Sequence, residues 1–295
     1  MFNRNNSDRI GAKKPTVDSP IIEEKGPPTN KANETTEPAP QMTFTAPTTF
    51  VDLPSKGRFY PGGHPLHGQN DIEIKYMTAK DEDILTSRTL LKKGVAIDRM
   101  LSNLLIDKRV KIDDFLIGDK NAIVVAARVT GYGWNYETNT TCPVCGTTTK
   151  FAFNLNEQKV NHGENCEELG VQQTETDTFI IEVPHTKAKV EVRLLTGHDE
   201  KSLVKLAKNK QRLKLPEANL TDQFLQYIVS VNGNSTGAYI KSFVDNMPAL
   251  DSKHLRETYR KIVPNVDLNQ EFTCSECAFE QEMEVPFTSD FFWPK

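Results

Sequence analysis

An α+β fold is what the sequence predicts, and three observations predict it. Apolar residues recur at helical spacing between about residues 78 and 131 and again after residue 196. Polar and apolar residues alternate in the middle of the chain and near its end. Two Cys-x-x-Cys knuckles, Cys142-Pro143-Val144-Cys145 and Cys274-Ser275-Glu276-Cys277, stand about 130 residues apart. Together these divide the chain into a Pro-rich arm (1–45), a loop, strand and helical subdomain (46–131), and a β-rich and helical region closed by the split knuckle pair (132–295).

The arm holds six of the seventeen prolines and, between Asn3 and Met42, no aromatic residue; its six basic and six acidic residues cancel. Such a polymer buries too little apolar surface to offset the entropy of ordering it, so disorder is expected. It is either a plain tail or a tether that orders on a partner.

Order begins near Thr49-Phe50-Val51. Leu53-Pro54-Ser55-Lys56-Gly57-Arg58-Phe59-Tyr60-Pro61 reads as a turn-rich loop, because Pro fixes φ and Gly permits positive φ. Asp71 to Met77 alternates as a half-buried strand does. Thr78, with Asp81 three positions later, predicts the N-cap of one helix carrying Ile84, Leu85, Leu90 and Leu91 and stopping at Gly94. A second helix buries Ile97, Met100, Leu101, Leu104 and Leu105. A third runs from near Asp119 through Ile123, Val124, Ala127 and Arg128 to Gly131.

Strands then lead into and out of the first knuckle, over Tyr132 to Thr141 and Thr149 to Leu155. Residues 156–176 are polar and acidic, a loop by composition. Phe179 to Val183 and Lys189 to Leu195 form a hairpin. Thr196 caps a helix with Leu203, Val204 and Leu206; further helices cover Thr221 to Val231 and Asp251 to Ile262. Glu271 to Thr273 and Glu280 to Pro286 flank the second knuckle, before Phe291-Phe292-Trp293. Each knuckle follows a Thr and precedes a strand, as in two halves of a zinc ribbon separated by a long insertion.

Cys142, Cys145, Cys274 and Cys277 have the donor count of a closed, tetrahedral four-thiolate zinc site. Four sulfurs leave no open position, so the ion is expected to be structural, a staple and not an activator of water. Closing a loop of about 130 residues costs roughly 4 kcal/mol plus a constant. Structural zinc contributes an apparent ~10–16 kcal/mol in small peptides. The metal term is the larger. A thioredoxin-like redox pair is disfavoured because no βαβ unit surrounds either knuckle; unmetallated thiols are the remaining reading. The odd fifth cysteine, Cys166, is a bystander. Five cysteines, four of them in knuckles, argue for a reducing cytoplasm rather than a disulfide framework. Ala278 stands where the first knuckle has Gly146, which predicts a more strained second turn.

Other chemistry is thinner. His64 and His67 lie in a Gly/Pro loop without a flanking carboxylate or cysteine, and read as solvated. His162 with Cys166 lacks a second ligand pair. No Walker-type phosphate loop and no GxSxG elbow occurs. Asp81/Asp83 and Asp113/Asp114 sit at helix starts, where carboxylates are stabilised electrostatically. No enzyme is expected. The basic run Lys201 to Lys214 is a solvated face or a phosphate contact. The formal charge of −4 argues against a nucleic-acid-type polycation. No apolar run approaches the roughly 20 residues of a membrane span, and the first residues carry no secretory signal pattern. The aromatic end either covers the ribbon within its own chain or inserts into a neighbour.

The loop Leu53 to Pro61, the segment Met77-Thr78-Ala79-Lys80-Asp81-Glu82-Asp83-Ile84-Leu85, the paired knuckles and Phe291-Phe292-Trp293 resemble the T4-type bacteriophage baseplate hub subunit and hub-assembly family. The resemblance spans roughly 50–295. It implies a non-enzymatic part of a contractile phage tail, building or residing in the central baseplate hub, with other baseplate and hub proteins as partners. It carries no catalytic residue over and does not itself imply zinc. On it, the chain is made in the host cytoplasm and works there in assembly or in the virion tail; a homo-oligomer stays open, as does a zinc-ribbon nucleic-acid adaptor.

Overall fold

Alternating burial carries the first strands. In the computed structural model, which describes residues 45–163, 166–216, 219–286 and 291–292, β1 (Thr48–Asp52) pairs antiparallel with β2 (Asp71–Lys75), Asp52 opposite Asp71. Ile72 and Ile74 point inward. The arm expected over 1–45 lies outside the described residues but for Thr45, as does Trp293. Between the two strands, Leu53, Tyr60 and Leu66 are buried. Gly57 turns this loop at φ +68°, and a Cβ there would stand 2.4 Å from the Gln69 nitrogen.

The helix expected over 78–94 is two helices, α1 (Ala79–Thr86) and α2 (Arg88–Lys93). Ser87 leaves helical geometry at ψ 108°, and its carbonyl accepts the Leu91 N–H at 3.0 Å, starting the second helix afresh. Asp81 accepts both the N–H and the hydroxyl of Thr78, at 2.9 and 2.8 Å, so the expected N-cap is present. Gly94 ends α2 in the left-handed region. α3 (Ala96–Leu104) buries Ala96, Met100, Leu101 and Leu104. Ile97, expected on that face, is 39% exposed. A 3-10 turn (Ile112–Asp114) leads into α4 (Ile117–Tyr132). Gly118 lets α4 meet the later chain: a Cβ there would lie 1.9 Å from the Pro264 carbonyl oxygen.

β3 (Asn135–Thr141) and β4 (Thr148–Asn154) form the first knuckle's hairpin. The polar segment 156–176 is not all loop. It contains β5 (Lys159–Asn161), which pairs with a strand 106 residues on (Asn265 opposite Asn161 to Asp267 opposite Lys159), and β6 (Gln172–Gln173). The hairpin expected next is β7 (Phe179–Glu182) and β8 (Lys189–Val192).

α5 (Gly197–Arg212) starts at Thr196, whose N–H and hydroxyl Asp199 accepts. Its apolar side is not core: Val204 and Leu206 are exposed. The helix expected over 221–231 stops early. α6 (Asn219–Tyr227) gives way to β9 (Ile228–Val231), which completes a four-stranded antiparallel sheet in the order β6-β7-β8-β9. Ile-Val-Ser-Val suits a pleated strand, and pairing of Val231 with Val190 outweighs the helical pattern before it.

α7 (Gly237–Asn246) and α8 (Ala249–Ile262) follow, the first unanticipated. β10 (Asn265–Asp267) is the partner of β5, and β11 (Asn269–Thr273) with β12 (Glu280–Glu284) forms the second knuckle's hairpin. One buried cluster runs from Val51 through α3, α4 and the β6–β9 sheet to Val285, Phe291 and Phe292. The two knuckle hairpins sit beside it with a small cluster of their own.

Candidate metal centre

The two knuckles repeat one local structure. In the first, the Gly146 N–H donates to the Cys142 carbonyl at 3.0 Å and the Cys142 N–H to Thr147 at 2.9 Å. In the second, Ala278 donates to Cys274 at 3.0 Å and Cys274 to Phe279 at 2.9 Å. Gly146 and Ala278 occupy equivalent left-handed positions, φ 71° and 50°. Such a turn aims both sulfurs of a pair the same way.

Packing brings the pairs together. Phe151 of β4 meets Phe272 of β11 edge-on at 5.2 Å, and Cys142, Phe272 and Cys274 form a buried cluster with Phe151, Phe279 and Met283 around it. Asn154 and Gln270 lace the hairpins: the Asn154 N–H donates to Gln270 Oε1 at 2.9 Å, and Gln270 Nε2 donates back at 2.7 Å. The Sγ atoms of Cys142, Cys145, Cys274 and Cys277 consequently lie within 4.8 Å of one another. Cys142 to Cys277 and Cys145 to Cys274 are each 3.7 Å. A disulfide needs about 2 Å. A tetrahedron with metal–sulfur bonds of 2.3 Å puts its sulfurs about 3.8 Å apart. The donor set and its spacing therefore fit a four-coordinate ion. Among the described residues, these four are the group able to hold one.

The two exposed thiols differ electrostatically. Hydrogen bonds from Thr147 pull the Cys145 thiol down to about 6. Cys277 goes the other way, to about 12: the Phe279 N–H pulls it down, but burial and the neighbouring sulfurs push harder. Four thiolates cannot ionise side by side without a cation among them. Cys142 and Cys274 are buried, Cys145 and Cys277 exposed, so the cluster opens to solvent on one side.

The other residues singled out in the sequence do not converge. His67 Nδ1 lies 2.6 Å from the Tyr60 carbonyl, while His64 stacks on the Tyr60 ring and accepts the Leu66 N–H. His162 Nδ1 is 2.9 Å from the Pro54 carbonyl, and Cys166 points at the Gly163 carbonyl. Within the basic run, Lys201 pairs with Asp113 and Asp98 and Lys210 with Asp222. Phe291 and Phe292 are buried in their own chain. Phe291 meets Tyr136 edge-on at 5.1 Å, and the Tyr136 hydroxyl donates to the Pro286 carbonyl.

Two residues named in the sequence only as helix positions organise the fold. Arg128 is buried, donates to the Gly133 and Asn135 carbonyls, and lies 6.0 Å above the Phe291 ring. Its signal was a lone guanidinium inside the apolar run Ala122 to Val129. Asp119 is buried and receives the Ser55-to-Tyr60 loop; an acid at a helix start gave no reason to single it out.

Among the described residues no helix is long and apolar enough to cross a membrane. No curated protein and no solved structure matches the chain. The model of the family described as T4 bacteriophage base plate protein matches residues 46–293, and takes in the Ser55 loop, both knuckles and the buried phenylalanine pair. The chain belongs to the T4 bacteriophage base plate protein family, with a structural role in the phage baseplate among other baseplate proteins.

Proposed function

We propose that this protein is a zinc-stapled structural or assembly part of the central hub of the baseplate, made in the host cytoplasm, and that it acts through contacts with other tail proteins without catalysis. Cys142, Cys145, Cys274 and Cys277 hold one zinc ion. Bound zinc supplies four fixed bonds and no open coordination position. The thiolates tie β11 and β12 to β3 and β4; Arg128 and Tyr136 hold the segment that follows. The carrying observation is the 3.7 Å spacing between sulfurs of opposite knuckles, within a chain of the baseplate family.

The nucleic-acid adaptor reading loses part of its support at α5, where two lysines of the basic run, Lys201 and Lys210, are already paired with carboxylates of the same chain. The experiment is elemental analysis of the purified chain together with mass spectrometry of purified tails. About one zinc per chain, and the chain present in baseplates or in their hub intermediates, is the expected result. A purified chain that carries no zinc, or that is found in neither, removes the proposal.

A further inference from the structure

Between α5 and the corner joining α2 to α3 runs a groove of about 670 Å³. Leu91 and Ile97 line one wall, Val204 the other, and Val124, Phe291 and Phe292 the side toward the core. Leu91, Ile97 and Val204 are 44%, 39% and 48% exposed. Single exposed apolar residues are ordinary; three facing one trough are the mark of a contact surface.

The charge around this trough is unbalanced. At its base Lys120 bridges Asp98 at 2.8 Å and Glu200 at 2.6 Å, and Lys201 is shared between Asp98 and Asp113. Those lysines are neutralised where they stand. Lys93, Lys205 and Lys208 line the same groove, and among the described residues they make no ion pair or hydrogen bond. Three unmatched ammonium groups thus ring an apolar trough on a chain whose formal charge is −4.

Apolar walls and unmatched cations together specify the ligand. A nucleic acid would satisfy the lysines and leave Leu91, Ile97 and Val204 wet. A purely apolar peptide would leave the lysines unmatched. A helix with branched apolar residues at i, i+3, i+4 and i+7 and carboxylates along its flanks satisfies both. We infer that the groove between α5 and the α2–α3 corner receives an acidic amphipathic helix of another baseplate protein. The inference rests on the proposed contact-making role and is independent of the metal.

The test uses the full chain and a fluorescein-labelled synthetic helix with leucines at that spacing and glutamates flanking them, read by fluorescence anisotropy. Saturable binding is expected. It should weaken at least tenfold in Val204→Glu and in the double variant Lys205→Glu/Lys208→Glu. A peptide with the glutamates changed to lysine should recover binding to the double variant alone. Leu206→Glu, on the same helix but outside the groove, should leave affinity unchanged. Each of these results would overturn the inference: no saturation, equal binding of a scrambled peptide, indifference to Val204→Glu, or tighter binding of duplex DNA. A dimer of the chain that dissociates in Val204→Glu would assign the groove to a second copy instead and equally overturn it. Tail assembly separates the two readings. Absence of the chain from baseplates and their intermediates sinks the proposed role itself, whereas normal assembly of Val204→Glu sinks only the groove.

Discussion

The carboxylate of Asp119 accepts the Ser55 hydroxyl at 2.6 Å, across 64 residues of sequence. The Ser55 N–H reaches the same carboxylate at 2.9 Å, and the Tyr60 hydroxyl at 2.7 Å. Tyr60 in turn accepts the Leu116 N–H at 3.1 Å. Burial pushes the Asp119 carboxyl up, while the hydrogen bonds from Ser55 and Tyr60 pull it down. Asp119 lies in the first turn of α4, where the helix dipole favours its charge. The loop that carries part of the family resemblance is thereby fastened to the longest helix of the first half.

Tyr60→Phe tests that fastening. It removes a donor from Asp119 and an acceptor from the Leu116 N–H, both buried. Leaving such groups unsatisfied costs about 1–3 kcal/mol, or about 2–4 °C in melting temperature per kcal/mol for a domain of this size. Thermal denaturation should show the drop with metal content unchanged. An unaltered midpoint would contradict the network.

Cys274→Ser should abolish the proposed metal site and loosen the hairpins that site would join. The expected loss is several kcal/mol, a discounted share of the ~10–16 kcal/mol seen in zinc-finger peptides. Hydrogen exchange should quicken at least tenfold in β3, β4, β11 and β12, while β7 and β8 keep their protection. Uniform loss of protection would mean that the knuckles hold up the whole fold; no change anywhere would mean that they hold nothing.

Ala278 offers a change in the opposite direction. Its φ of 50° is left-handed, a region costing an L-residue roughly 1–2 kcal/mol. Glycine relieves that cost but gives back about 0.4–1 kcal/mol through the unfolded chain. Ala278→Gly should therefore stabilise by up to about 1.5 kcal/mol, and Gly146→Ala should destabilise by a similar amount. Denaturant midpoints measured side by side decide the sign.

Asp199 gives a pH dependence. Burial works against its charge, but hydrogen bonds from Arg193, Thr196 and Gln226 hold its carboxyl well below the usual range. A carboxyl lowered in the folded state contributes stability above the unfolded value near 3.9 and loses it as pH falls toward the folded value. Arg193 is 37% exposed, so solvent screens the pair. Asp199→Asn should cost about 1–2 kcal/mol between pH 5 and 8. The gap from the parent should narrow below about pH 4. A gap that widens on acidification would reverse the assignment.

Short-range chemistry was legible in the sequence. The spacing of Cys142 with Cys145 and of Cys274 with Cys277 fixed two matching turns, and Thr78 with Asp81 and Thr196 with Asp199 marked two helix starts. What depended on distant partners was hidden. Ile228 to Val231 continues a helical pattern until Val190 and Val192 offer it an edge. Lys159 to Asn161 looks like loop until Asn265 to Asp267 pairs with it. Val204 and Leu206 marked a helix by their spacing, but periodicity shows which residues share a face, and not whether anything covers that face. The meeting of the two knuckles was an inference from donor count; the lacing of Asn154 to Gln270 and the Phe151–Phe272 contact that bring it about had no local signal.

The sulfurs of Cys142 and Cys145 find their counterparts 135 and 129 residues later. During synthesis the first pair must therefore wait, reduced and open, while nearly half the polypeptide leaves the ribosome. A metal shared as proposed could be captured only once Cys277 has emerged. Fragments that terminate early would carry half a clasp. Ion capture would thus distinguish finished subunits from abortive products before either could be built into a tail.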